Sequence, residues 1–466
     1  MKLKRLPVMM GIIIALLLVL SPLLSACGSK STTNTTASPV TTTSGSMTSS
    51  TTTISGSTTT GTTTATSSTT TSANLGVLKI GMMTPSTGPV PEKGVPGHDG
   101  LTDAIKYVND ELGGVQGHPI QVDWRDSEYN MQKVGTIVQD FINSGDILFT
   151  THSSSEMKAA QAVANQQGFP GIVVFGSTMN LHPPYPASHI YSPTPDYGDD
   201  WVALAKYYKE HIYKGTGTPK IALHLLSGTV GQGTKDAADA MASSIGVQVV
   251  DIENHAITTT SEITSLTNIK AKNPDVLIIS STPAPTAVIL RNAKDLGMTP
   301  GLTVMSTSAG FTAAVVDLTK DDPSVANGLY GVSHTVTWDD TVTGINKAKE
   351  YCQKYHPSDY GNMDYLGTWT TCLIIHQALI DAVKNAGYDT LAKGGANAWK
   401  AVEMQGIQKL TGYDAQGLQG GIISYTAGDN RLDDYLRIYQ IQNSKITPIA
   451  SWQEAPLIKY SVYGEK

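Results

Sequence analysis

The order of apolar segments along the chain constrains its fold more than any other feature. Short strand-like runs, such as residues 77–83 and 172–175, alternate with stretches whose apolar residues recur at helical spacing, such as residues 99–112. This βαβ repetition predicts a parallel sheet flanked by helices. A second series of the same kind begins after Asp196, so we expect two similar α/β lobes with a cleft between them.

Ligands of open α/β sheets bind beyond the carboxyl ends of the strands. We therefore expect the cleft to be lined by the loops that follow six residues: Met83, Thr150, Phe175, Leu225, Ile279 and Met305. One of these loops carries Ser153, Ser154 and Ser155 just before a predicted helix. Hydroxyls and helix-start amides suit a carboxylate ligand, whereas propensity alone favours a helix N-cap. One serine could cap the helix while another binds a ligand.

The first 27 residues have the pattern of an export signal. A basic start, Met1 to Arg5, precedes an apolar run that Pro22 closes before it reaches the length of a membrane span. The tetrapeptide at residues 24–27, Leu-Ser-Ala-Cys, resembles the lipobox of bacterial lipoproteins. The resemblance implies cleavage before Cys27 and a lipid on its sulfur, which would hold the protein at the outer face of a membrane, in the periplasm or at the cell surface.

Residues 29–73 are almost wholly Ser and Thr, with no aromatic and no acidic residue. Such a segment buries too little apolar surface to offset the entropy of ordering it. We expect a tether with a root-mean-square span of roughly 35–40 Å, either bare or carrying sugars.

Charge narrows the class of partner. The full chain has a net charge of −7, and its first 73 residues contain four basic and no acidic residues, so the remainder carries −11. Nucleic acid is therefore not expected as a partner. Three acidic pairs, Asp199-Asp200, Asp321-Asp322 and Asp339-Asp340, are interpreted as solvated acids, the first of them in the opening turn of a helix.

No signature of an enzyme or a metal site stands out. The eleven histidines are scattered without metal-ligand spacing, and no G-x-S-x-G nucleophile motif occurs, so we expect no catalytic residue, metal or cofactor. Apart from Cys27 the chain has two cysteines, Cys352 and Cys372. Outside the cytoplasm they could form a disulfide, and two separate buried thiols are equally compatible with their spacing.

Several segments resemble the type I periplasmic-binding-protein-like proteins, and most closely the branched-chain amino-acid binding proteins of ABC importers. The segments lie in the expected order over most of residues 76–440: KIGMMTPSTGP (79–89), NDELGGVQG (109–117), the serine cluster, NPDV (273–276) and LRNAKDLG (290–297). The resemblance implies two lobes joined by three crossover strands that close on a small solute. Together with the N-terminal pattern, which gives a signal peptide in 1–26 and a lipidated cysteine and tether in 27–73, it implies lobe 1 in 74–195 and 332–422 and lobe 2 in 196–331 and 423–466.

The same resemblance implies which residues contact the ligand. Ser153 and Ser177 would meet a carboxylate, with Ser154 and Thr178 beside them. Where relatives that bind amino acids have a tyrosine in the first loop, this chain has Lys93. Their two aromatic residues in the second lobe correspond to Val230 and to Thr282 or Pro283, and the acid that pairs with the ligand ammonium corresponds to Ser308. Tyr197 lies near the first crossover. Without that acid, a free α-amino acid is disfavoured. Lys93 favours an organic or aromatic acid, unless it is simply an exposed loop lysine.

We therefore expect a monomeric, non-enzymatic solute-binding lipoprotein whose partners are an ABC permease and a small solute. The solute is expected to be amino acid-like, with an organic or aromatic carboxylate or an amide favoured. A surface receptor that reports ligand occupancy to a signalling partner is the alternative, because the same fold serves both roles.

Overall fold

The computed structural model describes residues 75–182 and 189–465. The signal peptide, Cys27 and the tether predicted from the sequence lie outside these residues. In chain order the elements are β1 (Leu78–Thr84), α1 (Pro91–Asp110), β2 (Ile120–Asp126), α2 (Met131–Ser144), β3 (Phe149–Ser153), α3 (Ser154–Gln167), β4 (Gly171–Phe175), α4 (Thr178–Leu181), β5 (Ile190–Tyr191), α5 (Tyr197–Tyr207), β6 (Lys220–Leu226), α6 (Thr229–Ile245), β7 (Gln248–His255), α7 (Ile263–Ala271), β8 (Val276–Ser280), α8 (Pro283–Asp295), β9 (Thr303–Ser306), α9 (Ala313–Leu318), β10 (Tyr330–Ser333), α10 (Thr343–Tyr355), α11 (Met363–Ala386), α12 (Tyr388–Ala392), α13 (Gly395–Ala401), β11 (Tyr435–Gln442), β12 (Lys445–Pro448) and β13 (Gln453–Glu454). Single turns of π-helix (Tyr208–Ile212, Val402–Gly406) and of 3-10 helix (Pro357–Asp359, Ile407–Lys409, Ser461–Tyr463) complete the set.

Lobe 1 is built on a five-stranded, fully parallel sheet with the order β2-β1-β3-β4-β5. Side chains alternate across β1: Ile80 and Met82 pack on one face against α1, α10 and α11, while Met83 packs on the other face against α2 and α3. Both faces are therefore covered, which is the arrangement that the predicted βαβ repetition requires. Residues as distant in sequence as Leu78 and Leu432 belong to the same core.

Lobe 2 is built on an eight-stranded mixed sheet. Its main path is β12-β11-β10-β9-β8-β6-β7, and β13 pairs with β11. The strands from β7 to β10 are parallel, whereas β11 and its partners are antiparallel. Ile221 and Leu223 face α5 and α6, and Ala222 between them faces α7 and α8. The prediction of two α/β lobes is confirmed.

The chain passes between the lobes three times. The first passage lies between β5 and α5, the second between β10 and α10, and the third between Leu432, which belongs to the core of lobe 1, and the start of β11. Backbone contacts hold the first two passages against the segment that leads into the third: Ser192 pairs with Arg431 and accepts from the Leu432 N–H, and Thr335 pairs with Gln419. The three crossovers thus lie side by side as a hinge.

Helix α1 begins earlier than its composition indicates. The sequence predicts a loop up to Asp99, because the preceding residues are rich in Gly and Pro, yet the helix starts at Pro91. Proline is well suited to a first helical position, because its missing N–H has no helical partner there. A Cβ on Gly94 would collide with the Pro85 carbonyl, and one on Gly100 with the carbonyl of Tyr365 in α11. The glycines therefore permit close packing that outweighs their poor helix propensity.

Among the described residues, α11 has the length and apolar composition of a helix that could cross a membrane. Most of that helix is buried inside lobe 1, where Leu366, Trp369 and Leu373 belong to the core.

Candidate functional site

A cavity lies between the two lobes at the carboxyl ends of their strands. It contains about 340 Å³ of space between atoms, part of it open to solvent, and the centre of a water molecule can visit about 20 Å³. The two lobes are thus close together at this site. Its lining consists of Pro85, Val90, Lys93, Tyr129, His152, Ser153, Ser154, Phe175, Tyr197, Val230, Thr282 and Ala309.

Five of the six loops predicted to line the cleft contribute to this cavity. The contributions after Met83 and Thr150 come from lobe 1, and those after Leu225, Ile279 and Met305 come from lobe 2. At the sixth position the contact is Phe175 itself, the last residue of β4, and not the loop that follows it. The prediction is confirmed for five loops, and its basis is general: parallel strands place all their carboxyl ends at one edge of the sheet.

Lys93 lines the cavity, but it is neither in a loop nor exposed. It lies in the first turn of α1 with 6% of its surface accessible. Its Nζ donates a hydrogen bond of 2.6 Å to Oδ1 of Asp364 at the start of α11, and it lies 5.1 Å from the centroid of the Phe175 ring. Burial alone would raise the pKa of the Asp364 carboxyl, but Lys93 and His152 hold that pKa below its usual range. The Lys93 charge is thus already balanced by an anion of the protein.

His152 is a functional candidate that the sequence reasoning missed. Its side chain is almost fully buried, lines the cavity and meets the Phe175 ring edge-on at 5.2 Å. Its Nε2 lies 3.2 Å from Asp364 Oδ1 at a poor angle, and neither ring nitrogen makes a hydrogen bond with the described residues. Burial lowers its pKa, so the imidazole is neutral at neutral pH. Its position at the end of β3, directly before the serine cluster, was the available signal.

The three residues of the serine cluster, Ser153, Ser154 and Ser155, have different contacts. Ser153 is the N-cap of α3: its Oγ accepts from the Glu156 N–H, and its own N–H donates to Glu156 Oε2. The Oγ atoms of Ser154 and Ser155 lie 2.8 Å and 2.9 Å from Oγ1 of Thr229 at the start of α6. Ser153 and Ser154 line the cavity, so a cap and a cross-lobe contact occupy positions where a ligand could also bind.

Three of the residues expected at the ligand lie outside the cavity lining. Ser177 caps α4 and donates from Oγ to the Thr229 carbonyl oxygen at 2.7 Å. Thr178 Oγ1 donates to Asp236 Oδ2 at 2.9 Å, and Ser308 donates from both N and Oγ to Asp200 Oδ2. Each hydroxyl is directed to a protein acceptor, which explains why it does not face the cavity.

The other expected contacts are brought together at the cavity. Tyr197, the first residue of α5, and Val230 form part of its apolar wall. Thr282 precedes α8, and its buried Oγ1 has no hydrogen-bond partner among the described residues. Pro283 instead occupies the first position of α8. The closed cleft therefore presents unused polar atoms of both His152 and Thr282.

The interpretation of Asp199 and Asp200 as solvated acids is wrong. They do lie in the first turn of α5, but both are buried at the hinge. Asp199 Oδ2 accepts from Arg431 at 2.9 Å, and Asp200 Oδ1 lies 2.6 Å from Nε2 of His334. The partners come from the second passage (His334) and from the end of the segment that leads into the third (Arg431), so the hinge is held by buried charge pairs. This arrangement is invisible to local sequence patterns.

Cys352 and Cys372 are free and buried in the core of lobe 1. The two cysteines therefore do not form a disulfide, and the alternative prediction of two separate buried thiols is confirmed. Burial raises the pKa of both thiols, that of Cys352 to about 12, so neither is a ready nucleophile. Within residues 75–182 and 189–465, no group of three or more His, Cys, Asp or Glu side chains is arranged to hold a metal ion.

The chain resembles several solved binding proteins in fold. A branched-chain amino-acid ABC transporter protein from Thermus thermophilus, with bound valine, has a TM-score of 0.70 at 18% identity and covers 81% of this chain and 96% of its own. A branched-chain amino-acid transporter substrate-binding protein from Streptococcus pneumoniae, in complex with isoleucine, gives 0.65 at 17%, covering 81% and 99%. A solute-binding protein from R. palustris, in complex with 4-hydroxybenzoate, gives 0.67 at 16%, covering 82% and 98%.

No curated protein sequence matches the chain. The family model described as "Periplasmic binding protein" matches residues 77–445, which is most of the chain and nearly all of the described part. Its match begins at β1 and ends at β12, so it spans both lobes and all three passages. The chain therefore belongs to the periplasmic binding protein family, with the two-lobed type I fold.

Proposed function

We propose that this protein captures a small solute outside the cytoplasm and delivers it to an ABC permease. The observation that carries the proposal is the cavity between the lobes, to which both lobes contribute side chains. Beside it, Ser154, Ser155 and Ser177 of lobe 1 contact Thr229 of lobe 2. A site made of two halves exists only when the lobes are closed, so a solute that bridges the halves stabilises closure. Closure is then the signal that a permease can recognise.

The proposed ligand contacts are the cavity residues Lys93, His152, Ser153, Ser154, Tyr197, Val230 and Thr282. The lining mixes aromatic and aliphatic walls with a few polar groups, as small-molecule sites generally do. Valine, isoleucine and 4-hydroxybenzoate, the molecules bound to the similar proteins, share one chemical group, a carboxylate. We propose that binding rather than turnover is the activity.

A thermal-shift screen of the purified protein against amino acids, aliphatic and aromatic acids, amides and polyols tests this function. We expect one solute class to raise Tm, since a ligand that binds only the folded state stabilises it by mass action. Each solute that raises Tm is then incubated with the protein and recovered. Chemically unchanged solute supports binding, whereas turnover, or no stabilisation by any class, contradicts the proposal.

We further propose that a lipid on Cys27 anchors the protein and that residues 27–73 tether it to the membrane. The apolar run, the lipobox-like tetrapeptide and the Ser/Thr-rich composition support this proposal. Cys27→Ala should release the protein from membranes, and mass spectrometry of the native N-terminus should find a lipid-modified cysteine. A membrane-bound Cys27→Ala variant would show that the anchor is elsewhere.

A further inference from the structure

The charges around the cavity discriminate between classes of solute. Among its lining residues no side chain is a carboxylate, and Lys93 is the one permanent cation. The acid nearest to this lysine, Asp364, is fully buried behind it and already accepts its hydrogen bond at 2.6 Å. An ammonium group on a solute would therefore enter a closed, largely apolar site without a free anionic partner, which is costly. Lys93 neutralises the charge of Asp364 through Oδ1, and Asp364, whose Oδ2 has no hydrogen-bond partner among the described residues, is not part of the cavity lining.

A carboxylate group on a solute would find no net positive charge in the same cavity. Lys93 and Asp364 cancel each other in charge, and His152 is neutral, so the three side chains together offer no net positive charge. A buried carboxylate needs a cation as well as hydrogen bonds. His152 can become that cation without any movement of the chain, because Asp364 Oδ1, only 3.2 Å from its Nε2, favours the protonated ring.

Resting on the function proposed above, we infer that the cleft takes a small monocarboxylate that has an apolar body and no α-ammonium group, and that His152 gains one proton when this carboxylate binds. Lys93 and the imidazolium then both donate to the solute or to Asp364. Phe175, Tyr197 and Val230 pack against the apolar body. The proton comes from solvent, so protein and solute together remain balanced in charge.

The groups that face His152 come from several elements. Lys93 lies on α1, Asp364 begins α11, and Phe175 ends β4. Glu92, which precedes Lys93 on α1, is close enough to Lys93 and Asp364 for their charges to act on its carboxyl. The other titratable side chains that line the cavity with His152 are the phenols of Tyr129 and Tyr197. Burial raises the pKa of the Glu92 carboxyl and of both phenols. Glu92 is therefore the group that could take the proton in place of His152, and the phenols stay neutral throughout.

The sign of the pH dependence follows from linkage. In the free protein the pKa of His152 lies below its ordinary value, and a bound anion raises it. Between the free and the bound pKa, one proton is taken up for each carboxylate bound. The affinity for the carboxylate should consequently fall about tenfold for each unit of rising pH in this window. Below the window His152 is charged in both states, and the dependence disappears.

Titration calorimetry of the mature full-length protein with benzoate, phenylalanine and benzamide tests the inference. Experiments at pH 6 to 8.5, in buffers of different ionisation enthalpy, count the protons taken up. We expect benzoate to bind with uptake of about one proton, and phenylalanine to bind at least about tenfold more weakly because its ammonium is unpaired. Benzamide should bind without proton uptake.

Two variants locate the proton. His152→Gln should abolish both the uptake and the pH dependence of benzoate binding, whereas the matched control Glu92→Gln should keep both. Benzoate binding without proton uptake, uptake lost only in Glu92→Gln, or phenylalanine binding as tight as benzoate would each overturn the inference. If amides or polyols bind and benzoate does not, the inference fails while the solute-binding function stands. If no solute class binds, both fail.

Discussion

Thr229 of lobe 2 contacts the serine cluster of lobe 1, and its hydroxyl makes two hydrogen bonds there. Its Oγ1 lies 2.8 Å from Ser154 Oγ and 2.9 Å from Ser155 Oγ. Thr229→Val keeps the shape of the side chain and removes both hydrogen bonds. At about 1 kcal/mol for each bond, closure should lose about 2 kcal/mol. The ratio of closed to open protein should then fall about thirtyfold.

The change in closure can be measured by pulsed electron resonance between spin labels on the two lobes. Gln132→Cys on α2 and Ala240→Cys on α6 are exposed attachment sites, and Cys27→Ser removes the cysteine at position 27 as a competing attachment site. Thr229→Ser is the matched control, because it keeps the hydroxyl and should keep the wild-type distribution of distances. If Thr229→Val and Thr229→Ser give the same closed fraction, the hydroxyl contacts do not stabilise closure and the reasoning is refuted.

Three further predictions concern buried groups. Burial raises the pKa of Glu156 to about 7, so the folded state binds this proton more tightly than the unfolded state and loses stability as the pH rises from about 4.5 to 7. Glu156→Gln should therefore raise Tm at pH 8 but not at pH 4. An equal change in Tm at both pH values would contradict this prediction. Asp364→Asn leaves Lys93 buried without its anion and should lower the free energy of unfolding by about 3–5 kcal/mol, as measured by chemical denaturation. The double variant with Lys93→Met should recover part of this loss. If it recovers none, the loss does not come from the unpaired lysine. Cys352 and Cys372 should react with a thiol reagent only after unfolding, and mass spectrometry of the untreated protein should show no disulfide.

The sequence predicted the cavity loops because that prediction depends on strand order and polarity, which apolar periodicity reveals. It did not predict the charge state of the site. Lys93 and its partner Asp364 are 271 residues apart in sequence, so no local pattern connects them. Lys93 was also expected in a loop, since Gly94 and its neighbours favour one by propensity; only the tight packing of α1 explains why that segment is helical.

Local sequence also could not predict which of the serines near the cleft line the cavity. Ser153, Ser177 and Ser308 all follow strands at the cleft edge, and the sequence offers no reason to distinguish them. The structure separates them by their acceptors: Ser177 reaches a carbonyl of the opposite lobe and Ser308 a hinge carboxylate, while Ser153 stays at the cavity. Where several hydroxyls compete for a few acceptors, the outcome is decided by tertiary geometry.

The three passages of the chain also determine how much of the chain must be available before either lobe can fold. The core of lobe 1 unites Leu78 with Leu432, and the sheet of lobe 2 is completed only by β11, which begins at Tyr435. Neither lobe is therefore complete until more than nine-tenths of the chain is available. Contacts over such sequence distances slow folding, because a long loop must close before its contacts form. If the chain is exported as proposed above, the long delay before either lobe can close would keep it unfolded during that passage.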